Sequence, residues 1–227
     1  MKVSSLTFLL LVPLTACGHQ NPAPLLSRSI SDSAPIRSSL KNSARHQRLR
    51  VISQAKEQLA QRKTYRSRTL QFQTDPIGFI QAAYWNAGVD LFDSSLALDL
   101  DMSGLALIYE TARKRRQWHT QNPRPGDLVF LRSTNSPQTE ADIPDQLAVI
   151  ESVGSDRTLT VLGFFANGPR RIVINVQQKR REYGKLGKRI NDRLSVERDK
   201  QGTLGGSIVL GFADPFESLP GDIRVQK

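Results

Sequence analysis

The sequence predicts an α+β domain, with helices packed on a small antiparallel sheet of about four to six strands. Three observations carry this. Residues 145–153 (DQLAVIESV) and 157–165 (RTLTVLGFF) are β-branched and apolar runs joined by Gly154-Ser155-Asp156, which reads as a hairpin. The turn-forming run Pro123-Arg124-Pro125-Gly126-Asp127 leads into a third strand, Leu128–Leu131. Between Asp75 and Gly88, Phe79, Ile80, Ala83 and Tyr84 recur at helical spacing.

The other elements follow in order. Leu49, Ile52, Ala55 or Lys56, and Leu59 are spaced as one face of an amphipathic helix over 44–62. Asp75 is a good N-cap, Pro76 suits the first helical position, and Gly88 suits the C-terminal end. A further helix is expected over Gly104 to Trp118, with His119 beside its negative end. Arg170 to Val176 reads as a fourth strand. Gly184 and Gly187 argue against one long helix over 179–200.

The N-terminus carries an export signal. Lys2 gives a positive start, Leu6 to Leu14 a short apolar run, and Leu14-Thr15-Ala16-Cys17 a run of the kind cleaved and lipidated in bacterial lipoproteins. The apolar run is too short for a permanent span. Cys17, the only cysteine among 227 residues, is then an anchor to the membrane rather than a nucleophile. Gly18 after it, in place of Asp, points in a diderm host to the outer membrane, facing the periplasm. The expected organisation is a signal peptide over 1–16, a disordered Ser, Pro and Asn-rich tether over 17–43, a domain over 44–217 and a tail over 218–227.

The net charge of +11 and pI of about 10.2 favour anionic neighbours. Basic residues crowd in two segments, 37–68 and 179–200. The second offers Arg180, Arg181 and Tyr183 as candidate binding residues. Sparse aromatic residues, the lack of a nucleic-acid motif and the export signal argue against nucleic acid. With one cysteine and three scattered histidines (His19, His46, His119), no metal or cofactor is expected. The acidic group Asp93, Asp99 and Asp101 lacks the spacing and turn glycine of a calcium loop.

The order of helix, Pro-Gly-Asp-Leu-Val-Phe turn and strand, then the Ile-Glu-Ser-Val and Thr-Leu-Thr-Val strands, resembles papain-like cell-wall hydrolases of the NlpC and CHAP type. The resemblance covers about residues 45–215, with Asn191-Asp192 and the late IVLGFA run (208–213) adding to it. In those families an Asp-Cys-Ser-Gly-Phe motif opens the helix and a histidine opens the second strand. Here the motif is Asp75-Pro76-Ile77-Gly78-Phe79, so Pro76 stands where the cysteine would be. Gln146 stands where the histidine would be, and Gly163 falls near the third polar position. Proline has no ionisable group, and an amide cannot shuttle a proton near neutral pH. The resemblance therefore implies a pseudoenzyme: a membrane-anchored lipoprotein whose groove, with Asp75 beside it, binds peptidoglycan peptide or an envelope protein partner. The alternatives are an active cell-wall hydrolase of non-cysteine mechanism and a structural or assembly lipoprotein of an envelope complex.

Overall fold

The computed structural model describes residues 34–61, 65–66, 70–92, 104–132, 144–166, 168–194 and 203–216, with side chains from residue 43 onward except that of Arg66. Cys17, the signal peptide, residues 93–103 with their acidic group, and the tail over 218–227 lie outside the described residues.

The chain is a mixed α+β structure built on a six-stranded antiparallel sheet. Helix α1 covers Ala34–Gln61, α2 Pro76–Asn86 and α3 Gly104–Lys114. A small ribbon, β1 (Tyr65–Arg66) and β2 (Gln71–Phe72), joins α1 to α2. The main sheet comprises β3 (Trp118–His119), β4 (Leu128–Leu131), β5 (Gln146–Val153), β6 (Thr158–Phe165), β7 (Gly168–Asn175) and a last strand over Val209–Ala213. Between β7 and that last strand lies a second ribbon, β8 (Arg193–Leu194) with β9 (Thr203–Leu204), which makes the last strand β10. The spatial order is β3-β10-β4-β5-β6-β7.

The central strands are buried on both faces, and their composition follows. Leu128, Phe130, Leu147, Val149, Leu162 and Ala213 face the helices and share a core with Val51, Phe79, Ile80 and Tyr84. Val129, Leu131, Ala148, Ile150, Leu159 and Val161 face the other way, toward Ile174, Leu194, Ile208 and Phe212. The β5–β6 hairpin and the Leu128–Leu131 strand stand where the sequence places them.

Three sequence expectations change. Helix α1 starts at Ala34, so residues 34–43 are helical rather than tether. Its buried stripe is Val51, Ile52, Ala55 and Gln58, while Leu49 is exposed. The stripe is turned by about one residue because Arg48 takes the inward position. Helix α3 stops at Lys114, and Trp118 and His119 join the sheet instead. Trp118 packs there against Tyr109 and Phe130, at centroid separations of 5.1 and 5.3 Å. Arg116, at φ 55, reverses the chain without a glycine to announce it.

The start of α2 follows its sequence. Asp75 Oδ1 accepts a hydrogen bond from Gly78 N at 2.6 Å, and Pro76 occupies the first turn, where its missing N–H has no helical partner. A side chain at position 78 would overlap the Gln73 carbonyl, so the helix packs against the preceding chain only with glycine there. Ala87 is the C-cap, and Gly88, at φ 80, follows it. Among the described residues, no helix is long and apolar enough to cross a membrane.

Candidate functional site

The sheet separates the positions that the resemblance singles out. Pro76 sits on α2, on the helix-covered face. Gln146 lies opposite Leu131, and Gly163 opposite Ala148. Both partners belong to the second core, and directly opposed residues share a face. Gln146 and Gly163 are thus brought to one face, and the helix bearing Pro76 packs on the other. A Cβ at Gly163 would lie 2.8 Å from that of Ala148 and 3.1 Å from the Phe165 ring, so Phe165 fills the space above it. Ile77 packs with the helix-side core. The Asp75 side chain is committed to its cap.

On the helix side of the Pro-Gly-Asp turn lies a buried ionic cluster that sequence spacing does not reveal. Asp127 is fully buried and Asp214 nearly so. Arg48, from α1, donates to Asp127 Oδ1 at 2.5 Å, to Asp214 Oδ2, and to the Pro125 carbonyl at 3.1 Å. Asp127 also accepts from Arg124 N at 2.7 Å, and Asp214 from Phe216 N at 3.0 Å. The Arg48 guanidinium lies 4.6 Å from the centre of the Phe216 ring. Burial works against its charge, but the hydrogen bonds and proximity to the two carboxylates outweigh it and raise its pKa. Gly126 holds φ 87, and a Cβ there would meet Arg48 at 2.9 Å. Only glycine suits both the turn and the clamp. Tyr84 donates to the Gly126 carbonyl at 2.6 Å, its phenol pKa pushed well up by burial and then by Asp127.

His119 completes the cluster, and its role differs from the helix-end contact expected. Its Nδ1 lies 2.8 Å from the Gln121 carbonyl and its Nε2 3.4 Å from Asp127 Oδ2. Both neighbours accept hydrogen bonds, so the doubly protonated ring is favoured. The contact with Asp127 is the largest cause of its raised pKa. A histidine whose pKa is higher in the folded than in the unfolded chain stabilises fully below its unfolded value, and this is lost as pH rises through the folded value. The melting-temperature advantage of the native chain over His119→Gln is expected to be larger near about pH 5.5 than near about pH 8.5. An advantage independent of pH, measured by thermal scans of both proteins, would contradict the pairing.

A deeper concavity lies elsewhere. A cleft of about 520 Å³ opens at the Val153 end of β5, seven residue steps from Gln146, or roughly 23 Å at ~3.3 Å per residue. Its floor is apolar, with Val153, Leu159, Val176, Val209 and Phe212; its rim holds Asn122, Arg157 and Lys179. Asn122 and Arg157 both adopt positive φ (51 and 62), and Arg157 Nη1 reaches Asn122 Oδ1 at 3.5 Å. Non-glycine residues in this region are uncommon and concentrate at functional sites.

Two buried asparagines hold the rim in place. Asn175 donates to the Asp156 carbonyl and to Thr158 Oγ1, both at 3.0 Å, which fixes the turn bearing Arg157. Its oxygen accepts from Gln177 N and Gln178 N, which fixes the loop bearing Lys179. Asn191 accepts from Asn175 N and Gly206 N and donates to the Gln178 and Arg181 carbonyls. Arg180, Arg181 and Tyr183, the candidate binding residues, are exposed just beyond this loop. Arg157 and Asn175 were missed in sequence because their partners lie in other strands or turns. Asn191 was visible only as part of an Asn-Asp pair.

Among the described residues, no group of three or more His, Cys, Asp and Glu side chains converges as a metal-ion site. No protein-family model, curated protein or solved structure matches the chain.

Proposed function

We propose that this protein is a membrane-anchored lipoprotein of the cell envelope that binds wall peptide without cleaving it. Its domain is a degenerate relative of the NlpC and CHAP hydrolases, held to the membrane through lipidated Cys17. In a diderm host it faces the periplasm from the outer membrane. Pro76 at the head of α2, where the family's cysteine would stand, supports the loss of hydrolysis; Gln146, on the other face of the sheet, supports it only through the sequence pattern. The observation that carries the binding role is the cleft on the far side of the sheet. Its apolar floor suits the aliphatic side chains of a short peptide. Arg157 and Lys179 on the rim suit the carboxylates that peptidoglycan stem peptides carry. Because Asn175 fixes both cationic arms, little ordering is left for the ligand to impose.

Two measurements test this. Titration of the protein with soluble muropeptides should show binding that the Arg157→Glu/Lys179→Glu pair weakens by about tenfold or more, with the melting temperature nearly unchanged. Equal binding by native and doubly substituted protein would remove the cleft from the reading. Incubation with purified peptidoglycan should release no soluble fragments. Release that disappears on Gln146→Ala would instead establish an enzyme.

A further inference from the structure

We propose that the hairpin over residues 183–189 is a docking tip that sets the domain down on an anionic phospholipid surface. This is independent of the wall-peptide cleft, since it uses different side chains. Tyr183 bridges Arg189, and Gly184 N donates to the Lys188 carbonyl at 2.8 Å, so the segment is a closed loop with Lys185–Gly187 at its apex.

Leu186, at that apex, is fully exposed, with a relative accessibility of 103%. It also holds φ 71, a region that costs a branched apolar residue conformational strain and that glycine or asparagine would occupy freely. A leucine strained outward into water gains nothing from the domain itself. It gains on entering the boundary between headgroups and acyl chains. Tyr183, half exposed beside it, has the apolar ring and polar end suited to the same depth.

The charges match. Lys185 and Lys188 flank Leu186, and Arg180, Arg181 and Lys185 share one shallow surface. The nearby acids Glu182 and Asp192 are already engaged by Arg189 and Arg193. Among the described residues, no ion pair engages Arg180, Arg181 or Lys185. Free cations around an exposed apolar tip fit an anionic bilayer better than a wall polymer in water, which offers leucine no apolar phase.

The test uses the full chain with Cys17→Ser, so that Leu186→Cys carries the only thiol and takes an environment-sensitive fluorophore. Vesicles containing phosphatidylglycerol should shift its emission to the blue, and high salt should reverse the shift. Vesicles of phosphatidylcholine alone should leave the label in water, as should a control label at Glu57→Cys on α1 with either vesicle. At about fivefold per basic residue, Arg180→Gln/Arg181→Gln should weaken docking roughly 25-fold with an unchanged circular dichroism spectrum. The proposal is overturned by a label that stays in water on anionic vesicles, by an equal shift on neutral ones, or by a shift only with muropeptides. Failure here leaves the muropeptide titration of Arg157 and Lys179 unaffected.

Discussion

Replacing Arg48 with alanine is expected to lower the unfolding free energy by about 3–5 kcal/mol. The guanidinium is the shared counter-charge of Asp127 and Asp214, and both carboxylates are buried. Without it each keeps its backbone donor, Arg124 N or Phe216 N, but Asp127 is left with His119 at 3.4 Å as its one close cation among the described residues, and Asp214 loses its close cationic partner. Arg124 Nη1, 3.8 Å from Asp214 and largely exposed, is too screened to substitute. Urea unfolding of Arg48→Ala measures the loss, and a change below about 1 kcal/mol would show that the cluster carries little stability. Neutralising the acids as well separates charge from packing. The triple variant Arg48→Met/Asp127→Asn/Asp214→Asn should lie nearer the native stability than Arg48→Met alone.

Asn191→Ala is expected to cost about 3 kcal/mol, since it strips two backbone donors and two backbone acceptors of their partner at once. The effect is local as well as global. The amides of Asn175 and Gly206 should exchange with solvent markedly faster, while those of β4 and β5 keep their protection. The loop bearing Lys179 and Arg181 should loosen, and muropeptide affinity should fall even though no ligand-facing side chain has changed. Unaltered exchange at Asn175 and Gly206 would remove Asn191 from this bracing role.

The parts of this fold that were legible in sequence are those decided by neighbours along the chain. Asp75, Pro76 and Gly88 mark the ends of α2 through capping chemistry that needs only a few residues. The β5–β6 hairpin is marked by two apolar runs and a short polar turn. The ends of α1 and α3 were not legible, for different reasons. α1 extends upstream through residues with no strong stop signal, and its inward face is set by Arg48 meeting Asp127 and Asp214, 79 and 166 positions away. Periodicity favoured Leu49 because it counts apolar residues and assigns no value to a cation with two buried partners. α3 ends early because Trp118 is worth more in the aromatic cluster with Tyr109 and Phe130 than in another helical turn.

The candidate site divides in the same way. Motif spacing places Pro76, Gln146 and Gly163 along the chain. It cannot say that a sheet lies between the helix of the first and the face of the other two. The cleft is assembled from four separate stretches of chain, so its rim of Arg157 and Lys179 has no linear signature. The basic segment after β7 was visible as composition alone. Its geometry depends on Asn175 and Asn191, whose partners span several turns.

The position of β10 has a consequence for how the molecule is made. The last strand enters the interior of the sheet, between β3 and β4, rather than adding to its rim. Until it arrives, β4 has a partner on one side only. Its four residues, Leu-Val-Phe-Leu, are all buried in the finished protein, and synthesis must run on for more than 70 positions before Val209 can pair with Leu131. An incomplete chain therefore exposes an uncharged, unbulged strand edge of the kind that recruits strands from other chains. Residues 128–131 stay open to pairing with other chains until β10 has docked beside them.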